Sequence, residues 1–123
     1  MDDDKRKKVG KKGEDVAAFF LKKRGYRILD RNFRCYLGEL DIIAEKEGQI
    51  IFVEVKTRQN IDFGLPEEFL NYPKRKRLSK LALFYLSTHY LQERPCRFDV
   101  VAIQYQKGKA KIHHIKNAFQ AIS

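Results

Sequence analysis

The segment of residues 38–58 constrains the fold most, because two apolar runs flank one short turn in GELDIIAEKEGQIIFVEVKTR. β-Branched and aromatic residues fill both runs, so the segment predicts a β-hairpin turning at EKEG. Strand side chains alternate between faces, which places Glu39 with Asp41 on one face and likewise Glu54 with Lys56. The opposite face collects apolar residues: Leu40, Ile42, Ala44, Ile51, Val53 and Val55.

A two-residue turn at residues 47–48 gives the hairpin a definite register. Asp41 then lies opposite Glu54, and Glu39 lies opposite Lys56, with the Cβ atoms of opposed residues about 4.5–5.5 Å apart. Two carboxylates at that distance repel each other, and a divalent cation, which takes oxygen ligands at roughly 2.0–2.6 Å, would offset the repulsion. A slip of one residue would move the carboxylates to different faces.

An acid on one strand and Glu-x-Lys on the next form a D-(D/E)-x-K pattern, which is typical of metal-dependent nucleases. Asp41 and Glu54 would bind the metal, with help from a backbone carbonyl near Val55. Lys56 would position or activate water and offset the charge that develops on phosphate. The bland alternative is a polar strand face with ordinary cross-strand ion pairs.

The hairpin motifs resemble the YraN-like family of bacterial predicted endonucleases, which is similar to archaeal Holliday-junction resolvases of the restriction-endonuclease-like superfamily. The resemblance continues in GEDVAAFFL (13–21), GYRILDRNFR (25–34), FGLP (63–66) and RFDVV (97–101), and covers most of residues 10–105. It implies that fold and nuclease chemistry, but no particular substrate. Sequence pattern alone makes Glu14 a helix-dipole acid, whereas the resemblance makes it a possible third metal ligand.

Length and composition predict one soluble globular domain. The chain has 123 residues, of which 43% are hydrophobic and 34% charged, and this suits a single domain with a real core. No apolar run approaches about 18 residues, and MDDDKRKK at the start lacks the apolar region of a secretory signal. Cys35 and Cys96 match no zinc or CxxC spacing. Two free thiols favour a cytoplasmic location, although a single disulfide bond between the two cysteines is also compatible with the sequence.

The strongly basic charge favours a polyanionic partner. Lysine and arginine total 26 against 16 acids, giving +10, and such a surplus is typical of nucleic-acid binding. The alternatives are a merely basic protein and an acidic membrane surface. The membrane alternative is disfavoured because no basic amphipathic helix with an exposed apolar face is evident in the sequence.

The expected elements form an α/β domain with a mixed β-sheet flanked by helices. Their order is α-β-β-β-α-β, with a further strand possible. Residues 1–12 are expected to be a disordered basic tail, and residues 13–123 a single nuclease-like domain. Within it we predict a helix at 13–24, a strand at 26–36, the hairpin, a loop at 57–73, a helix at 73–91, a strand at 97–106 with a turn into a further segment, and a short helix at 117–122 docked by Phe119 and Ile122.

Basic residues crowd the start of the second helix. Lysines and arginines there oppose the helix dipole, so they indicate contact with a phosphate backbone. Arg58, just beyond Lys56, would also lie near a phosphate. The alternative is a solvated basic face. The residues proposed for the helix contact are Lys74, Arg75, Lys76 and Arg77, with Lys80 nearby.

Four further polar residues are expected to have structural roles or surface positions and not to belong to the site. Asp99 is expected to pair with Arg97 or a backbone donor. His113 and His114 are adjacent, so in a strand they face opposite ways, and we interpret both as surface residues. His89 falls on the apolar stripe of the second helix and is expected at the core or its rim.

The sequence therefore favours an endonuclease that uses Mg²⁺ or Mn²⁺ to hydrolyse phosphodiester bonds in structured or branched DNA. Asp41, Glu54 and Glu14 would be the metal ligands, and Lys56 would orient the water or stabilise the transition state. A non-catalytic or weakly catalytic DNA- or RNA-binding module on a nuclease fold is the alternative, and an assembly protein with an acidic partner is a third. Junction-cutting relatives act as dimers, so the resemblance also implies a possible homodimer.

Overall fold

The computed structural model describes residues 3–59 and 70–123. Among these residues, two helices and five strands follow one another along the chain. They are α1 (Asp3–Lys23), β1 (Arg27–Cys35), β2 (Gly38–Lys46), β3 (Gln49–Gln59), α2 (Tyr72–Thr88), β4 (Cys96–Gln106) and β5 (Lys109–Phe119).

The strands form one mixed sheet in the order β1-β2-β3-β4-β5. Only β3 and β4 run parallel among the neighbouring pairs, and the others are antiparallel. A parallel pair needs a long crossover connection, and α2 lies in that connection. The predicted α/β class is confirmed, and the arrangement is consistent with a restriction-endonuclease-like core.

The sheet separates two apolar layers. Residues of α1, including Ala17 and Leu21, pack with Ile42, Val53 and Val101 on one face. Residues of α2 pack on the other face with a second set of strand residues, which includes Leu40, Ile43, Ile50, Phe52 and Phe98. Both faces are thus covered, as strands with few polar positions require.

One predicted face assignment in β2 is wrong. Leu40 was expected to share a face with Ile42 and Ala44, yet it packs under α2 while those two pack under α1. Asn32, in the neighbouring strand at this level, has a φ of 54°. A left-handed residue inside a strand interrupts its regular alternation, and Asp41 lies at this irregularity.

Helix α1 begins much earlier than residue 13. The structure continues it back to Asp3, so most of the segment predicted as a disordered tail is helical here. Lysine and arginine, which dominate this segment, are good helix formers. Helix α2 agrees with its prediction, because Asn71 Oδ1 accepts from the Lys74 N–H at 3.0 Å and Pro73 falls in the first turn. Most of the predicted loop, residues 60–69, lies outside the described residues.

The predicted helix at 117–122 is wrong, because residues up to 119 belong to a strand and residues 120–123 have no regular secondary structure. Strand β5 continues to Phe119, whose ring stacks on Phe98 with centroids 4.5 Å apart. Asn117 has a φ of 53° and donates its N–H to Asp99 Oδ1 at 3.0 Å. Pairing with β4 and this hydrogen bond hold the segment extended, although Phe119 docks on the core as expected.

Asp99 anchors a buried polar network beneath α1. Its fully buried carboxylate accepts from Arg97 Nε at 2.9 Å, which confirms its predicted structural pairing. His114 Nε2 lies 2.8 Å from Asp99 Oδ2, and the His114 side chain is only 8% exposed. The interpretation of His114 as a surface residue is therefore wrong, because the buried carboxylate provides it with a partner.

Other predicted features agree with the structure. His89 follows the end of α2 and stacks on Tyr85, with ring centroids 3.9 Å apart, so it lies at the rim of the core. Both cysteines are free thiols. Neither described helix combines the length and apolar character needed to cross a membrane.

Candidate functional site

The hairpin register is the one predicted from a two-residue turn. Ile42 pairs with Val53, and Lys46 with Gln49, on either side of residues 47–48. The described pairing ends at Ile42–Val53, one position before Asp41. There the Val55 N–H donates to Asp41 Oδ2 at 2.8 Å. The Asp41 carboxylate is thus fixed where the two strands part.

Three carboxylates converge at this point. Glu14 of α1 and Glu39 and Asp41 of β2 each offer an oxygen, and these oxygens all lie within 4.8 Å of one another. A cation with oxygen ligands at roughly 2.0–2.6 Å fits such a separation. We call these three residues the acidic group. It contains two of the predicted metal ligands, Glu14 and Asp41, together with Glu39, which was predicted to share a face with Asp41.

Glu54, the other predicted ligand, is held by a lysine. Its Oε1 lies 2.7 Å from Lys74 Nζ, and the two side chains are only 14% and 24% exposed respectively. Glu54 falls outside the acidic group, but its charge helps to raise the pKa of Asp41, so it lies nearby. For Glu54 to bind a cation together with Asp41, the Lys74 ammonium would have to turn away.

The acids are electrostatically strained. Burial, followed by the charge of Glu54, raises the pKa of Asp41 to about 7, while the hydrogen bond from Val55 opposes the rise. Burial also raises the pKa of Glu14, against a hydrogen bond from Asn32. Crowded, buried carboxylates favour protonation or a bound cation over full ionisation without a counter-charge.

Lys56 lies close enough to both cationic and anionic side chains for their charges to shift its pKa. Burial lowers its pKa, and the charges of Arg58 and Lys74 lower it further, while Glu54 and Asp41 oppose the change. Lys56 therefore lies near the acids, as the hairpin register predicts, and Arg58 lies near Lys56. A lysine that deprotonates more easily than usual suits either proton transfer or charge stabilisation.

Two residues that the sequence did not single out bring Glu14 to the sheet. Gly13 packs so closely on β3 that an added Cβ would lie 2.3 Å from Thr57 Oγ1. Asn32 adopts the left-handed conformation and hydrogen-bonds Glu14. An ion pair of Asp15 with Arg31 at 2.6 Å also fastens α1 to β1. A glycine at a helix position and an asparagine inside a strand were the signals available.

We expect Gly13→Ala to destabilise the protein by about 1–3 kcal/mol through overpacking. In an exposed helix the same substitution would stabilise the protein by about 1 kcal/mol. A loss of stability would therefore show that Gly13 is closely packed. Urea unfolding of the variant, beside Thr57→Ala and the double variant, measures it. The double variant should recover most of the loss, since Thr57→Ala removes the clashing Oγ1. A stabilised single variant would contradict the prediction.

The predicted nucleic-acid residues of α2 differ in placement. Lys74 turns inward to Glu54, whereas Arg75 and Lys76 are half-buried and Arg77 is exposed. A Cβ built on Gly38 would lie 3.6 Å from Arg77 Cδ, so Arg77 runs beside the start of β2. The basic end of α2 therefore lies close to the acidic group.

Fold and site together define an α/β protein with a restriction-endonuclease-like core and an acidic group at the parting of two strands. The sequence profile of the uncharacterised protein family UPF0102 matches residues 13–103. The chain belongs to this family.

Several UPF0102 proteins are similar to the chain over nearly its whole length. One from Caldicellulosiruptor bescii is 49% identical over 117 residues, covering 92% of this chain and 98% of the relative. One from Moorella thermoacetica is 47% identical over 116 residues, covering 93% and 97%. One from Caldanaerobacter subterraneus is 42% identical over 117 residues, covering 93% and 96%.

Proposed function

We propose that this protein is a metal-dependent endonuclease that hydrolyses phosphodiester bonds in structured or branched DNA. The observation that carries the proposal is the convergence of Glu14, Glu39 and Asp41 beside Lys56. Acidic side chains that a hairpin and a helix bring together at a strand opening suit a Mg²⁺ or Mn²⁺ site. The resemblance to junction resolvases supports branched DNA as the substrate.

Different residues of the chain would have different roles in such a reaction. Asp41 and Glu14, with Glu39, would hold the ion, and Glu54 would join them after Lys74 leaves. A bound ion supplies polarisation of the phosphate and a lowered pKa for its water. Lys56, beside the acids, would orient the attacking water and offset the charge developing on the phosphate oxygens. Lys74, once released, would be free to contact the same backbone.

The basic surface would hold the nucleic acid by charge and shape. The chain carries a net charge of +10, and basic residues line the start of α2. Contacts of lysine and arginine with phosphates position a protein on nucleic acid without reading sequence. We therefore expect substrate choice to follow strand geometry, and binding to weaken steeply with salt.

A nuclease assay with Mg²⁺ or Mn²⁺, against EDTA, tests the proposal. The substrates are single-stranded, duplex, flap and four-way-junction DNA with matching RNA. We expect metal-dependent cleavage of a branched or flapped DNA, lowered by about 10²–10³-fold in Lys56→Ala, which removes one stabilising charge. Glu54→Ala should lose cleavage too, while Glu47→Ala, an exposed turn acid, should keep it. Full activity in EDTA or in both site variants would contradict the proposal.

The second candidate is a nucleic-acid-binding module without turnover. The ion pair of Lys74 with Glu54 favours it, because a lysine cation already neutralises one of the proposed ligands. Salt-sensitive binding by purified wild-type protein, with no cleavage of any substrate in either metal, would support this candidate over the nuclease.

A further inference from the structure

An open groove with an exposed aromatic ring lies beside the turn that joins β1 and β2. Tyr36 is 84% exposed and its ring meets Phe84 edge to face, with centroids 5.7 Å apart. Leu83 is also exposed. Among the described residues, those that line the groove include one lysine and no acid; they are Tyr36, Leu37, Lys80, Leu83, Phe84 and Ser87. We call this surface the Tyr36 groove.

The Tyr36 groove is close to the acidic group along the chain. Tyr36 precedes Glu39 by three residues, and Tyr36 and Leu37 form the short turn between β1 and β2. Arg77 of α2 lies beside Gly38, which stands between Tyr36 and Glu39 along the chain.

Charge and ring geometry indicate what the groove would take. Lys80 is the one charged residue in the described part of the lining, and the neighbouring end of α2 is basic, so an anionic partner is favoured. An exposed aromatic ring with adjacent basic residues is the arrangement that stacks bases while the cations hold phosphates. A base inside a duplex has no free face to stack, so the occupant must be unpaired.

We propose that the Tyr36 groove binds an unpaired base of the nucleic-acid substrate, stacked on the Tyr36 ring, with Lys80 at a neighbouring phosphate. This inference rests on the proposed function and narrows its substrate to nucleic acid with unpaired nucleotides near the cleaved bond. Flaps, overhangs and open junction centres present such nucleotides, whereas a closed duplex does not.

Equilibrium binding in EDTA tests the groove without any cleavage. The probes are a blunt DNA duplex and a duplex of the same length with a single-stranded overhang that carries 2-aminopurine. We expect wild type to prefer the overhang by about tenfold and to quench the 2-aminopurine fluorescence. Tyr36→Ala should abolish both effects, and Tyr36→Phe should keep them.

Phe19→Ala is the matched control. Phe19 is 62% exposed and has Lys23 Nζ 5.0 Å from its ring centroid, but it belongs to α1 on the other side of the sheet. Its loss should leave the overhang preference unchanged. A Phe19→Ala effect equal to that of Tyr36→Ala would overturn the assignment to the groove.

Three other outcomes would overturn the inference. They are a wild type without overhang preference, a Tyr36→Ala variant that retains it, and a dimer that Tyr36→Ala converts to monomer in sedimentation, since a second copy would then cover the groove. Cleavage that persists without overhang preference would remove this inference alone. Overhang binding without metal-dependent cleavage would remove only the nuclease proposal.

Discussion

Asp41→Asn is expected to make the protein more stable than wild type at pH 8 without divalent cations, while removing the proposed cleavage. Burial and the nearby charge of Glu54 raise the pKa of Asp41 from 3.8 to about 7. Keeping it ionised in the folded protein therefore costs up to roughly 4 kcal/mol. Asparagine avoids this cost and can still accept the hydrogen bond from the Val55 N–H.

The same change should remove a pH dependence. Because folded Asp41 binds its proton more tightly than the unfolded chain does, wild-type stability falls as pH rises from about 3.8 to about 7. The advantage of Asp41→Asn should consequently grow by about 2–3 kcal/mol between pH 5 and pH 8. An acid that destabilises its own fold is typical of a functional site.

Urea unfolding in EDTA at both pH values measures these differences. The control is Glu45→Gln, because Arg94 and Arg27 pair with Glu45 in β2 and its loss should give no gain at pH 8. Adding Mn²⁺ should stabilise wild type but not Asp41→Asn. A variant no more stable than wild type at pH 8, or an advantage that is the same at both pH values, would contradict the account.

Asp99→Ala is expected to cost about 3–5 kcal/mol of unfolding free energy, which is the usual consequence of removing one partner of a buried ion pair. Its carboxylate accepts from Arg97 and the Asn117 N–H and contacts His114. The change would leave these groups without their carboxylate partner where β4 pairs with β5. Burial alone would raise the pKa of Asp99, but hydrogen bonds from His114 and Arg97 outweigh it and lower the pKa.

The two aspartates should therefore respond to pH in opposite ways. Asp99 stabilises the fold above its unfolded pKa, and this contribution is lost as pH falls through its lowered folded pKa. Thermal and urea unfolding of Asp99→Ala should show the full loss at neutral pH. Asp15→Ala is the comparison, since the half-exposed pair of Asp15 with Arg31 should be worth less than about 1 kcal/mol. Equal losses in the two variants would refute the structural role of Asp99.

The hairpin register followed from local sequence because the turn is short. Glu47 and Gly48 both have positive φ values, 52° and 80°, as a two-residue hairpin turn of this kind requires. Once the turn is fixed, the apolar alternation assigns every pair up to Ile42–Val53. The sequence alone therefore predicts that Asp41, Glu54 and Lys56 lie near one another.

Other parts of the site depend on contacts between distant segments. The Lys74–Glu54 pair joins the start of α2 to β3, and the burial of His114 comes from a carboxylate one strand away. The close contact of Gly13 with Thr57 likewise sets the distance between α1 and the sheet. Periodicity reports which face a residue occupies, but it does not report which distant element covers that face.

Titration of Mn²⁺ into the purified protein, followed by electron paramagnetic resonance of the free ion, tests the central claim most directly. We expect saturable Mn²⁺ binding by wild type and much weaker binding by Asp41→Asn and Glu54→Gln. Glu45→Gln, a β2 carboxylate paired with arginines away from the acidic group, should bind like wild type. The absence of saturable binding by wild type, or equal binding by all four proteins, would contradict a metal site at the acidic group.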